Sequence, residues 1–192
     1  MSAESVRDAL ERWANVAAKL GAGSDHHFLP GLTATGLREL ESQYLIRLPE
    51  DVRAMWGWRN GVNPVAHAGL GQWFPQLSVA LDWGALTLRI RKEGDAGEVW
   101  GRKREPDDNA RWVTLRGGQT SSEIDVTDAA RQDCRVLIQD PTSPLDSYPT
   151  LTLTEAIEGW ILAVEIGYWY VEDGRWSRRL ENYPSTRDRW RM

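Results

Sequence analysis

The 192-residue chain is short of cysteine, histidine and basic charge, and each shortage removes a class of explanation. A single Cys134 rules out an internal disulfide framework and fits a reducing compartment. It stands in the apolar run Cys-Arg-Val-Leu-Ile, where a small buried hydrophobe is the expected role. Of the three histidines, His26 and His27 are neighbours whose side chains diverge, and only His67 remains, so no metal site is expected. No opening segment has the charged, apolar and small-residue order of a secretory signal. No apolar run approaches the ~20 residues that span a bilayer. These absences predict a soluble, cytoplasmic protein that makes no membrane contact. The net charge of −5, from 28 acidic and 23 basic residues, argues against general nucleic-acid binding and mildly favours a basic partner. Gly-x-Ser-x-Gly, His-Glu-x-x-His and Walker patterns are missing, and Cys134 has no obvious histidine partner. The paired acids Asp107-Asp108 and Glu172-Asp173 sit beside turn signals. No catalytic residue, no cofactor and no enzymatic activity are expected.

What is present is strong periodicity. Val6, Leu10, Trp13, Ala17 and Leu20 form one stripe of a helix over residues 2 to 20, stopped by Gly21 and Gly23. Leu37, Leu40 and Tyr44 line a second helix. Leu48-Pro49 then turns a corner into a third, with Pro49 at a first helical position. Glu50 and Asp51 face the helix dipole there. Val52, Met55, Trp56 and the stem of Arg59 share one face, and Asn60-Gly61 is expected to end the helix in a left-handed turn. Residues 77 to 92 fit two patterns. Leu77, Val79, Leu81 and Trp83 alternate like a strand, whereas Val79, Trp83, Leu86 and Ile90 recur at helical spacing after Ser78, a candidate N-cap. Residues 91 to 109 read as a charged loop, with a possible short strand at Val99-Trp100. Residues 112 to 115 and 122 to 126 alternate as half-buried strands around Gly117-Gly118 and are expected to pair antiparallel. Cys134 to Ile138 reads as a central strand. Thr152 and Glu155 form a capping-box pattern opening a helix with Leu153, Ile157, Trp160, Ile161 and Val164 on its buried stripe, ended by Gly167. Tyr168 to Glu172, Asp173-Gly174 and Arg175 to Ser177 read as strand, turn and returning strand. Eleven tryptophans fill a thin core on one reading; on the other, some of the later ones form a recognition surface.

Taken in order, several blocks resemble one family. They are the leucine-bearing helix, Leu48-Pro49-Glu50-Asp51, the following helix and Asn60-Gly61, then Trp112 to Leu115, Glu123 to Val126, Arg135 to Ile138, and Leu151 to Tyr168. This set is similar to the SUKH superfamily, which includes the fungal Smi/Knr cell-wall assembly regulators and bacterial immunity proteins against polymorphic toxins. The resemblance spans about three quarters of the chain and rests on the ordered set of blocks. It implies a helix over residues 77 to 92 and a module that binds rather than catalyses.

The expected fold is α+β: an antiparallel sheet of four to six strands packed against several helices, in a single domain over residues 1 to 182, followed by an arginine-rich tail over residues 183 to 192. The expected function is that of an immunity protein which binds a toxin domain with a basic surface and occludes it. The alternatives are a regulatory or scaffold module of the same fold, acting on an endogenous partner, and a small-molecule sensor with tryptophans lining a pocket. Glu105, Asp107, Asp108, Glu172 and Asp173 are the acidic candidates for partner binding. Trp73, Trp100 and Trp169 are the candidate aromatic anchors.

Overall fold

The computed structural model describes residues 3–21, 28–63, 73–93, 109–117, 121–139 and 151–183. It is α+β. Helix α1 (Ala3–Lys19) is followed by strand β1 (Phe28–Pro30), helix α2 (Ala34–Gln43), helix α3 (Glu50–Trp58) and strand β2 (Arg59–Val62). Helix α4 (Leu77–Glu93) leads to strands β3 (Trp112–Arg116), β4 (Ser121–Asp125), β5 (Arg135–Gln139) and β6 (Leu151–Thr152). Helix α5 (Leu153–Glu165), strands β7 (Trp169–Glu172) and β8 (Arg175–Arg178), and a 3-10 turn (Leu180–Asn182) complete the order. Strands β3 to β6 form one antiparallel sheet in sequence order, and β1–β2 and β7–β8 are separate antiparallel pairs. The expected hairpin of β3 with β4 is present, and β5 lies in the sheet interior.

The cause of each element is local, and its placement is not. α1 buries Val6, Ala9, Leu10, Trp13 and Ala17, while Leu20 stays at the surface. α5 opens with the full capping box, Thr152 and Glu155 each accepting the other's backbone N–H. It buries all five residues of its expected stripe, and Gly167 follows with φ +69°. α1 and α5 lie side by side, joined at the rim by an ion pair between Arg12 and Glu158.

Three expectations about caps need correcting. α3 ends at Trp58, and Asn60-Gly61 belongs to β2, which pairs with β1. Gly61 keeps a positive φ, +85°, but a Cβ there meets Pro75 and Gln76 backbone atoms at 2.6 Å, so close approach sets the residue as much as conformation does. Asn60 Oδ1 accepts the N–H of Leu77, which makes Asn60 the side chain that caps α4 instead of Ser78. Pro49, expected at the first helical position of α3, precedes it as N-cap.

Residues 77 to 93 are helical, yet the apolar stripe at helical spacing is not the face that packs. Leu77, Ala80, Leu81, Gly84 and Leu88 are buried, whereas Val79 and Trp83 are half-buried and Leu86 and Ile90 are exposed. The reason lies at Gly84. A Cβ there would stand 2.1 Å from the Trp112 carbonyl oxygen, so the missing side chain lets α4 rest directly on strand β3. β3 ends the sheet order, so this contact also covers an edge strand.

Seven tryptophans among the described residues are buried: Trp13, Trp56, Trp73, Trp112, Trp160, Trp169 and Trp176. Trp13 lies at their centre, with ring centroids 5.3 Å from Trp73, 6.0 Å from Trp176 and 6.4 Å from Trp160. The core reading of the aromatics is therefore the larger part of the truth.

Candidate functional site

The strongest candidate for a binding feature is the hairpin formed by β7 and β8. Its turn residues Asp173 and Gly174 both have positive φ, 50° and 71°, the two-residue turn whose twist matches that of the flanking strands. Register pairs Trp169 with Arg178, Tyr170 with Ser177, Val171 with Trp176 and Glu172 with Arg175. The alternation sends Trp169 and Trp176 into the core, leaving Glu172, Asp173 and Arg175 exposed at the tip. Tyr170 is half-buried. The Arg179 guanidinium lies 4.2 Å from its ring centroid, and its hydroxyl donates to Glu172 Oε2 at 3.4 Å.

The base of the hairpin is closed by backbone and side chain together. Arg179 N–H donates to the Tyr168 carbonyl at 2.9 Å, and Asn182 Nδ2 donates to the Gly167 carbonyl at 3.1 Å. Tyr183 stacks at an angle on Tyr168, 5.2 Å between centroids. Underneath, Trp169 meets Trp73 edge-on at 5.0 Å, and Trp176 stacks on Trp13 with an interplanar angle of 22°. An exposed tip carrying Glu172, Asp173 and Arg175 thus stands on an aromatic footing that reaches the centre of the protein.

Four of the eight candidate contact residues fall in this region, in two different roles. Glu172 and Asp173 are exposed, as their assignment requires. Trp73 and Trp169 are not anchors for a partner, since only 2% and 5% of their surface is exposed. Their indoles belong to the core because the pleat of β7 turns Trp169 inward, while Trp73 bridges to Arg116 at the sheet. Trp100, Glu105, Asp107 and Asp108 lie outside the described residues, as do all three histidines, the possible strand at Val99-Trp100 and the tail beyond Tyr183.

The buried carboxylates Asp51 and Glu123 both make internal hydrogen bonds. Asp51, read from sequence as a charge facing the helix dipole, is fully buried. Its Oδ2 accepts the backbone N–H groups of Asp133 and Cys134. Cys134 in turn accepts the N–H of Leu153 at 2.8 Å, so the start of α5 is tied to α3 through the chain leading into β5. Burial raises the Asp51 carboxyl above its ordinary value, against the lowering effect of the two N–H groups. Burial likewise pushes the Cys134 thiol up to about 12, with the nearby Asp51 charge adding to the rise. Such a thiol is no nucleophile at neutral pH. Thr114 Oγ1 donates to the buried Glu123 at 2.7 Å across the β3–β4 pair, a second internal polar contact. Sequence reading missed both the Asp51 tie and the Tyr170–Arg179 stack. The only signal for the latter was an aromatic alternating with Glu172 on an outward face.

Among the described residues, no group of three or more His, Cys, Asp or Glu side chains could hold a metal ion. Nor is any helix among them long and apolar enough to cross a membrane. No family model matches the chain, and no curated protein matches it.

Proposed function

We propose that the protein is a non-catalytic binding module, an immunity protein of the SUKH type that seats its β7–β8 hairpin against a basic surface of a toxin domain. The observation that carries this reading is the hairpin itself. A two-residue turn and a buried tryptophan footing hold Glu172 and Asp173 in a fixed, exposed position. Preorganisation of this kind lowers the entropy lost when a partner docks. Carboxylates at the tip steer a basic partner and fix its register, while Tyr170 and Arg179 beside them are residue types enriched in binding hot spots. The acidic total of the chain supports the same sign of partner. The ordered sequence blocks support the superfamily assignment.

The test is co-purification from the native host with mass spectrometry, using wild-type chain and the double variant Glu172→Lys, Asp173→Lys. A toxin domain retained by the wild type and bound at least about tenfold more weakly by the variant is the expected result, because like-charge juxtaposition costs several kcal/mol. A housekeeping partner in place of a toxin moves the assignment to a regulatory module of the same fold. Binding that survives the double reversal removes the hairpin as the contact surface.

A further inference from the structure

The face of α4 that the other described residues leave uncovered has its own order. Val79, Trp83, Leu86 and Ile90 follow one another at spacings of four, three and four residues, the a/d repeat of a helix–helix seam. Leu86 and Ile90 are 41% and 47% exposed, and Trp83 and Val79 are half-buried. Leu86 and Ile90 thus stand one turn apart on a single helical row, an aligned apolar pair unlike scattered surface leucines. The opposite row of the same helix packs on β3, so this row is not a fragment of the core. Asp82 and Arg89 lie seven residues apart on one flank of it, both exposed, and Asp82 also accepts the Tyr44 hydroxyl at 2.7 Å.

We infer that α4 is a self-association surface, and that its occupant is α4 of a second copy of this chain, packed antiparallel about a two-fold axis at Leu86. Charge chooses this occupant and this direction. An antiparallel pair centred on Leu86 sets Trp83 beside Ile90 of the second copy, Leu86 beside its equivalent, and each Asp82 beside the other chain's Arg89. Two reciprocal ion pairs then flank the apolar seam, as flanking charges do when they set helix orientation. A parallel pair brings Asp82 opposite the flank that carries Thr87 and forms neither ion pair. The arrangement is isologous, so it closes at two copies and does not propagate. It stands whether or not the binding reading of the β7–β8 hairpin holds.

Sedimentation equilibrium on the full chain at low ionic strength, up to the solubility limit, tests this. The mass of the wild type is expected to rise with concentration from 21.8 kDa toward twice that value. Leu86→Glu is expected to stay at the monomer mass, with the far-ultraviolet circular dichroism of the wild type. Asp82→Arg and Arg89→Asp, each placing like charges across the seam, are expected to be monomeric alone. An equimolar mixture of these two variants is expected to dimerise again, because each ion pair is rebuilt with its sign reversed. A wild type that remains at 21.8 kDa throughout overturns the proposal. So does a dimer that survives Leu86→Glu, or a mixture of monomeric swap variants that stays monomeric.

Discussion

Helices α4 and α5 announce themselves with the same kind of apolar repeat, and only one of them buries it. In α5 the repeat and the packed face coincide: Leu153, Ile157, Trp160, Ile161 and Val164 are all in the core. In α4 the repeat points away from the core, and the packed row contains Ala80 and Gly84. Hydrophobic periodicity finds helices and ranks faces by transfer free energy. It does not register close backbone approach, where the smallest side chain marks the contact. The lesson is that a helix with two candidate faces is decided by its glycine, here by the 2.1 Å that a Cβ would leave to the Trp112 carbonyl.

Five substitutions break or sharpen that contrast. Trp160→Ala on the packed face of α5 carries the largest effect, about 3–5 kcal/mol by urea denaturation, because it opens a cavity beneath Trp13 and Trp73. Gly84→Ala should cost about 3 kcal/mol, since the added methyl meets backbone that cannot rotate away. A neutral result there would mean that the helix does not rest on β3 as described. Next in size are the caps. Thr152→Ala and Asn60→Ala each remove one acceptor from a helix start and should lower stability by about 1 kcal/mol, measured as a shift of the denaturation midpoint. Leu86→Glu, on the uncovered face of α4, should change monomer stability by no more than about 0.5 kcal/mol. A large loss from it would restore the periodic stripe as the packed face.

The tie that holds the start of α5 adds a dependence on pH. The Asp51 carboxyl is raised in the folded state above its ordinary 3.8, so between that value and its folded value the folded chain binds the extra proton. Stability from this group is therefore present below pH 3.8 and is lost as pH rises through the folded value. Comparing wild type with Asp51→Asn across acidic pH should show the wild type gaining relative to the variant as pH falls through that window. Parallel curves would remove the buried-charge account of Asp51.

Sequence made much of this molecule legible, and the boundary has a physical location. The α+β class, the hairpin of β3 with β4, the capping box of α5 and the Asp-Gly turn all depend on residues within a few positions of one another, so local chemistry displays them. What escaped involves distant backbone. Asn60 gives up the end of α3 to cap α4, and Asp51 serves the loop before β5. Trp73 and Trp169 failed as anchors for the same reason, since whether they face a partner or one another in the core depends on elements far along the chain.

The stacking of Trp13 on Trp176 joins α1 to β8 across 163 residues of chain. On a ribosome adding residues at ~5–20 per second, Trp13 waits roughly 8–30 s for that partner to be made. Throughout that interval α1 carries an indole and four other apolar side chains with part of their cover missing. The nascent chain thus presents this apolar face of α1 until β8, the last strand among the described residues, has been made.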